Sequence, residues 1–185
     1  MTSYLFGYGS LMNATSAGRL LGRRLSPAEL VPAWLDGYLR TWSLKELVFS
    51  EALQRSVTAA FLDLTPDAGT ACNGVLLEVS AAEMERARNR EKNYDAVDVT
   101  SRIRGDDDSD IDGKVITFVA RPEFRTHGEE DDVWVMKRYV EMIDRACAAL
   151  GGDFRRAFAA STRTHAYDVL DGRYTFVDPA QAKLV

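Results

Sequence analysis

The segment Phe6-Gly7-Tyr8-Gly9-Ser10-Leu11-Met12 ends a short apolar run and interrupts it with two glycines. The apolar residues 4–6 before it are typical of a short buried strand. The glycines let the backbone turn sharply where side chains would obstruct the approach of a bound group. Backbone N–H groups exposed in such a turn can bind a carboxylate or a phosphate. The segment indicates either a ligand-binding loop or an ordinary strand-to-loop turn, because a lone short glycine motif does not separate the two.

Composition favours one globular domain over residues 1–185. The chain has 185 residues and 46% hydrophobic content, which suffices for one core but not for two ordinary ones. Its net charge is −5, and its basic residues are scattered along the chain, which argues against nucleic acid as the main partner. No apolar run approaches the roughly 18 residues of a membrane span, and the first residues do not resemble a signal peptide. We therefore expect a soluble, cytoplasmic protein without membrane contact; its oligomeric state is left open.

Few residues are suited to binding a metal. Cys72 and Cys147 lie far apart without metal-ligand spacing, which fits a reducing compartment. With only two histidines, a Ser-His-Asp triad or a histidine-rich metal site has little to draw on. Residues 108–113 match the first half of an EF-hand loop, but its twelfth position is Val119. We favour an acidic hairpin loop there and expect no metal site.

Strands dominate the first two thirds of the chain, and helices dominate the last third. The predicted elements are a helix at 13–21, an interrupted strand at 30–42, strands at 56–64 and 73–79 joined as a hairpin by the turn residues 65–69, and strands at 94–103 and 114–120. The acidic residues 105–110 are typical of a solvated loop. This order predicts an α+β domain built on an antiparallel or mixed sheet.

Apolar residues near the end of the chain recur at helical spacing. They are Val133, Met136, Val140, Ile143, Cys147 and Leu150. This pattern predicts one long amphipathic helix whose apolar stripe belongs to the core, ended by Gly151-Gly152 and followed by a second helix capped by Asp153. If the stripe served a partner protein instead, Val133, Val140 and Ile143 would be exposed.

A carboxylate lies at the end of a predicted central helix. Ser80 and Glu83 have the spacing of a capping box, so a helix should begin near residue 81. Glu91 follows Met84 and Ala87 at spacings of three and four, which places its carboxylate on the apolar face. Burial there would raise the pKa of Glu91 into the range of a general acid and base. Alternatively, the helix has already ended and Glu91 pairs with a neighbouring arginine.

Three blocks of sequence, in matching order, are similar to those of the gamma-glutamylcyclotransferase-like family. They are Tyr8-Gly9-Ser10-Leu11, the strand Asn73-Gly74-Val75-Leu76-Leu77-Glu78-Val79, and Arg90-Glu91-Lys92-Asn93-Tyr94-Asp95 after the central helix. The resemblance implies a small closed or near-closed mixed β-barrel flanked by helices, with the C-terminal helices from about residue 130 packed on it. It covers about the first 120 residues. The triplet at 90–92 is similar to the glutathione-specific ChaC branch, in which the glutamate and the tyrosine are usually further apart.

Carried over by position, the resemblance implies a site for a small γ-glutamyl substrate. Its substrate-binding residues would be Phe6, Gly7, Tyr8, Gly9, Ser10, Leu11 and Tyr94, and its catalytic residue would be Glu91. The implied reaction needs no cofactor: the substrate's α-amine attacks its γ-carbonyl, and 5-oxoproline and an amine or amino acid are released. Two alternatives stay open, a cyclotransferase acting on γ-glutamylamines or on a γ-glutamyl-acylated metabolite, and a non-catalytic ligand-binding module of the same fold.

Overall fold

Two very long strands organise the sheet. In the computed structural model, which describes residues 2–126 and 132–179, strands β2 (Val31–Ser50) and β3 (Arg55–Glu78) pair antiparallel along most of their lengths. The other strands within these residues are β1 (Ser3–Gly7), β4 (Tyr94–Asp98), β5 (Ile103–Gly105), β6 (Lys114–Ala120), β7 (Val133–Met136), β8 (Asp168–Leu170) and β9 (Tyr174–Phe176). The helices are α1 (Ala14–Leu21), α2 (Ala81–Arg90), α3 (Lys137–Ala149) and α4 (Gly152–Ala160).

The sheet is mixed and curled. Its order is β4-β6-β1-β3-β2-β5, with β7 added to β3 and β9 added to β2. β1 pairs antiparallel with β3 and parallel with β6. The long pairing of β2 and β3 contains two register shifts, and such irregularities bend a strand. The result is a half-barrel with flanking helices, which confirms the predicted α+β fold.

The predicted hairpin between residues 56–64 and 73–79 is wrong. Both segments belong to the single strand β3, and the hairpin turn lies earlier, between β2 and β3. The turn-forming residues 65–69 instead produce a bulge, because the pairing jumps from Tyr38 with Pro66 to Asp36 with Ala71. Inside the bulge, the Asp67 side chain accepts the Gly69 N–H at 3.3 Å. The local turn chemistry is present, but the partner strand continues on both sides of it.

The predicted long helix begins later than its apolar pattern suggests. Residues 133–136 form β7, which pairs parallel with residues 58–60 of β3, and helix α3 starts at Lys137. Alternating valines fit a buried strand as well as a helix. Residues 133–136 form a strand here because the edge of β3 beside them is available for pairing. Val133 and Ile143 are buried and Val140 is partly buried, so the stripe faces the core and the partner-binding reading is not supported.

Smaller corrections concern element ends. The interrupted strand predicted at 30–42 continues to Ser50, and the strand predicted at 94–103 is broken after Asp98 by a short 3-10 turn. Asp153 lies in the first turn of α4, with Gly151 as the capping residue. Residues 106–110 form a solvent-exposed loop as expected. It is closed as a tight hairpin by an antiparallel bridge of Arg104 with Asp110 and by the Gly105 N–H donated to the Ser109 carbonyl at 2.8 Å, although the strands β5 and β6 pair with other strands and not with each other.

Both helices predicted in the first half of the chain are confirmed. Asn13 caps α1 by accepting the Ser16 N–H at 3.0 Å. Ser80 and Glu83 form the predicted capping box at the start of α2, with the Ser80 N–H donated to the Glu83 carboxylate at 2.8 Å. None of the helices in the described part of the chain has the length and apolar character that crossing a bilayer requires.

Candidate active site

The glycine loop follows β1 and is packed too tightly for larger residues. A Cβ at Gly7 would lie 2.6 Å from the Leu11 Cβ, and one at Gly9 would lie 3.0 Å from the Tyr139 hydroxyl. Residues 10–12 form a single 3-10 turn, in which the Met12 N–H is donated to the Gly9 carbonyl at 3.0 Å. The first amides of such a turn have no partner within it. The loop therefore presents the N–H groups of Ser10 and Leu11 next to a glycine.

Tyr8 points away from the loop and fixes it to the sheet. Its hydroxyl donates a 2.7 Å hydrogen bond to the Phe118 carbonyl of β6, and the side chain is buried. Burial, together with the nearby carboxylates of Asp63 and Glu91, holds the pKa of Tyr8 well above its ordinary value. Tyr8 is thus a neutral anchor at neutral pH, and its backbone rather than its hydroxyl belongs to the loop surface.

Glu91 is the residue that ends α2. Helix α2 stops at Arg90, and the Glu91 N–H is donated to the Ala87 carbonyl at 2.9 Å. The Glu91 side chain is only 14% exposed, and the nearest Arg90 nitrogen is 3.6 Å from its carboxylate. Burial raises the pKa of Glu91, the arginine lowers it and the carboxylate of Glu46 raises it further. Both sequence readings are therefore partly right: the helix has ended beside an arginine, and the carboxylate is nevertheless buried.

The glycine loop and Glu91 converge on one cavity of about 380 Å³, its open mouth included. The lining residues are Phe6, Gly7, Tyr8, Gly9, Ser10, Leu11, Leu62, Glu91, Tyr94, Phe118 and Tyr139. Every residue predicted for the site is among them. Among the residues that the structure describes, no three His, Cys, Asp or Glu side chains are grouped as a metal site would require.

Solved structures resemble this chain over nearly its whole length. A gamma-glutamyl cyclotransferase superposes with a TM-score of 0.60 at 12% identity, covering 92% of this chain and 94% of its own. A yeast gamma-glutamyl cyclotransferase specific to glutathione gives 0.55 at 10% identity, with 90% and 99% covered. An uncharacterized human protein gives 0.57 at 12% identity, with 91% and 94% covered. The chain has the gamma-glutamylcyclotransferase-like fold. No family model and no curated protein matches the sequence.

Three residues of the cavity were not predicted from sequence: Leu62, Phe118 and Tyr139. In this gamma-glutamylcyclotransferase-like fold, Leu62 and Phe118 come from the strands β3 and β6 beside β1, and they read as ordinary core residues. Tyr139 comes from α3, packs edge-on against Phe61 at 4.9 Å between ring centroids, and is buried. Burial raises the pKa of Tyr139. The one sequence feature that could have pointed to Tyr139 is the presence of a tyrosine within the apolar stripe of a predicted helix.

A second cavity of about 740 Å³, open mouth included, adjoins the first. The two share Ser10, Glu91, Tyr94 and Tyr139. The second cavity alone is lined by Ser16, Arg19, Leu44, Glu46, Phe61, Arg90, Met142, Tyr174 and Phe176. Its aromatic wall comes partly from β9, which pairs with the end of β2 and was not predicted at all. The gamma-glutamylcyclotransferase-like fold of this chain therefore has two chambers that meet at Glu91.

Proposed function

We propose that this protein is a gamma-glutamyl cyclotransferase that releases 5-oxoproline from a γ-glutamyl amide, with Glu91 as general acid and base. The observation that carries the proposal is the placement of a buried carboxylate, Glu91, in the same cavity as the glycine loop 7–11. A module that only bound ligands would have no use for a partly buried base, whereas proton transfer requires one with a raised pKa. The non-catalytic alternative is therefore the weaker one.

In the proposed reaction the substrate is folded in the first cavity so that its own amine reaches its γ-carbonyl. Such positioning can contribute roughly 7–11 kcal/mol toward lowering the barrier. The N–H groups of the glycine loop would bind the substrate's carboxylate. Tyr94 also lines the cavity. Burial raises the pKa of Tyr94 well above its ordinary value, so it would remain a neutral hydrogen-bonding group.

Glu91 would move protons between the two nitrogen atoms. The substrate's α-ammonium cannot attack until it loses a proton, and a carboxylate with a raised pKa is a better acceptor than an ordinary one. The amine then forms a bond to the γ-carbon, and the amide C–N bond breaks as Glu91 returns the proton to the leaving nitrogen. Over the whole reaction, two protons leave the α-ammonium and two are gained by the leaving amine. The lactam that remains is 5-oxoproline.

The test is to measure 5-oxoproline release by the Glu91→Gln variant. The amide has the size of the carboxylate but cannot accept a proton, so we expect a folded protein without turnover. The matched control is Glu85→Gln on the same helix, because Glu85 is exposed and lies outside both cavities. Glutathione, a γ-glutamyl dipeptide and γ-glutamyl-lysine should be offered as substrates. Equal turnover by the two variants would show that Glu91 is not the acid and base.

A further inference from the structure

The second cavity has an apolar wall and a charged wall that face a common space. Phe61, Tyr174 and Phe176 form the apolar wall, with ring centroids 5.4 to 6.1 Å apart. Arg19, Glu46 and Arg90 bring charges to the same cavity. Cavities that bind small molecules commonly have this composition, in which a largely apolar surface is supplemented by a few polar groups that fix orientation.

Arg90 has an unused hydrogen-bond donor at this cavity. Its Nη1 is buried and has no hydrogen-bond partner among the residues that the structure describes. A buried donor without a partner is costly, and a guanidinium fits a carboxylate better than any other common anion-binding side chain does. Because the nearest Glu91 oxygen lies 3.6 Å from Arg90 Nε, that contact leaves Nη1 unsatisfied. Arg90 lines the second cavity and its side chain is 21% exposed, so a small rotation of the guanidinium would offer this donor to an anionic group of a ligand there.

The aromatic wall is held in place from two sides. Strand β9 pairs with β2 through Tyr174 with Ser50 and Phe176 with Val48. Thr175 between them is exposed, so the two aromatic side chains point inward together. Lys92, directly after Glu91, forms an ion pair with Asp178, just beyond β9. The wall is therefore tied both to the sheet and to the segment that carries the proposed base.

We propose that the second cavity binds the leaving half of the substrate and selects an α-amino acid with a large apolar or aromatic side chain. This inference rests on the proposed function, since it assigns the amine that departs when 5-oxoproline forms. The leaving nitrogen lies where the cavities meet, at Glu91, with its side chain against the wall of Phe61, Tyr174 and Phe176 and its carboxylate on Arg90. The preferred substrate class is thus a γ-glutamyl amide of an aromatic or large aliphatic amino acid.

The first experiment compares turnover of γ-glutamyl-phenylalanine, γ-glutamyl-alanine, γ-glutamyl-phenethylamine and glutathione. We expect kcat/KM for the phenylalanine amide to exceed that for the alanine amide by about tenfold or more, because the larger side chain fills the apolar wall. Phe176→Ala should remove most of that ratio. Phe49→Ala should not, because Phe49 lies on the neighbouring strand and outside the cavity. A wild-type enzyme that prefers glutathione or the alanine amide overturns the inference.

Arg90→Met tests the carboxylate contact by comparing two substrates within one variant. Loss of Arg90 also alters the pKa of Glu91, but that effect acts equally on both substrates and cancels in their ratio. We expect the variant to lose about 10- to 100-fold more kcat/KM on γ-glutamyl-phenylalanine than on γ-glutamyl-phenethylamine, which has no carboxylate. Equal losses on the two would show that Arg90 does not bind the leaving group.

A binding measurement separates this inference from the proposed function. L-Phenylalanine and L-alanine are titrated into the unmodified protein and into Arg90→Met and Phe176→Ala by calorimetry. Binding of phenylalanine that both substitutions weaken, without any 5-oxoproline release, would retain the binding site and refute the cyclotransferase. Release of 5-oxoproline without a preference among substrates and without phenylalanine binding would refute the second-cavity inference and retain the cyclotransferase.

Discussion

Gly74 controls the position of the glycine loop from the neighbouring strand. A Cβ at Gly74 would lie 2.5 Å from Phe6 Cζ and 2.6 Å from the Gly7 carbonyl oxygen. Ordinary contacts begin near 3.4 Å, so close to 1 Å of movement is needed, and a backbone oxygen in a paired strand cannot simply rotate away. Overpacking of this kind lowers the free energy of unfolding by about 1–3 kcal/mol. Alanine also reduces the conformational entropy of the unfolded chain, which offsets about 0.4–1 kcal/mol of that loss.

We therefore expect Gly74→Ala to lower the free energy of unfolding by about 1–2 kcal/mol, or Tm by about 2–8 °C for a chain of this size. The matched control is Gly69→Ala in the bulge of the same strand, whose Cβ would contact only Asp67 Oδ1, at 3.9 Å. That variant should be neutral or more stable by up to about 1 kcal/mol. Urea unfolding measures the stability change of both variants, provided that their transitions have equal slopes with urea concentration. Equal midpoints for the two variants would refute the close packing of Gly74 against the loop.

Three further predictions concern single side chains. Tyr8→Phe leaves the buried Phe118 carbonyl without its donor and should cost about 1–3 kcal/mol in urea unfolding. Ser80→Ala removes the oxygen that accepts the Glu83 N–H at 3.3 Å and should cost about 0.5–2 kcal/mol. Burial raises the pKa of Glu91 above its ordinary 4.5, so the stability from this group is complete below pH 4.5 and is lost as pH rises through the raised value. Glu91→Gln should thus gain stability relative to the unmodified protein as the pH rises above 4.5, and a difference that stays constant with pH would contradict the raised pKa.

Local sequence signals predicted the helix starts well, because helix capping depends on short-range chemistry. The capping residues Asn13, Ser80 and Glu83 bond within three residues of their partners. The glycine loop and Glu91 are far apart in sequence, yet the resemblance that paired them matches the cavity that they line. A short motif determines the conformation of its own backbone, and these motifs lie next to the candidate site.

The predictions from sequence were wrong where pairing with a neighbouring strand determines the local structure. Turn residues 65–69 form a bulge because β2 continues to pair beyond them, and residues 133–136 are a strand because β3 offers a free edge. Neither partner can be identified from local periodicity. The same reason hides Tyr174 and Phe176, since a strand of three residues carries almost no pattern of its own until its partner β2 is known.

Because of where β9 lies, the two cavities are lined in part by different regions of the chain. The loop at 7–11 and Glu91 belong to the first half, whereas Tyr174 and Phe176, which wall the adjoining chamber, are added by a short edge strand. Neither aromatic residue lies on the strand that precedes the loop or on the helix that precedes Glu91. If the proposed function holds, exchange of residues 174 and 176 is expected to change which amine departs and to leave the proposed lactam-forming step untouched.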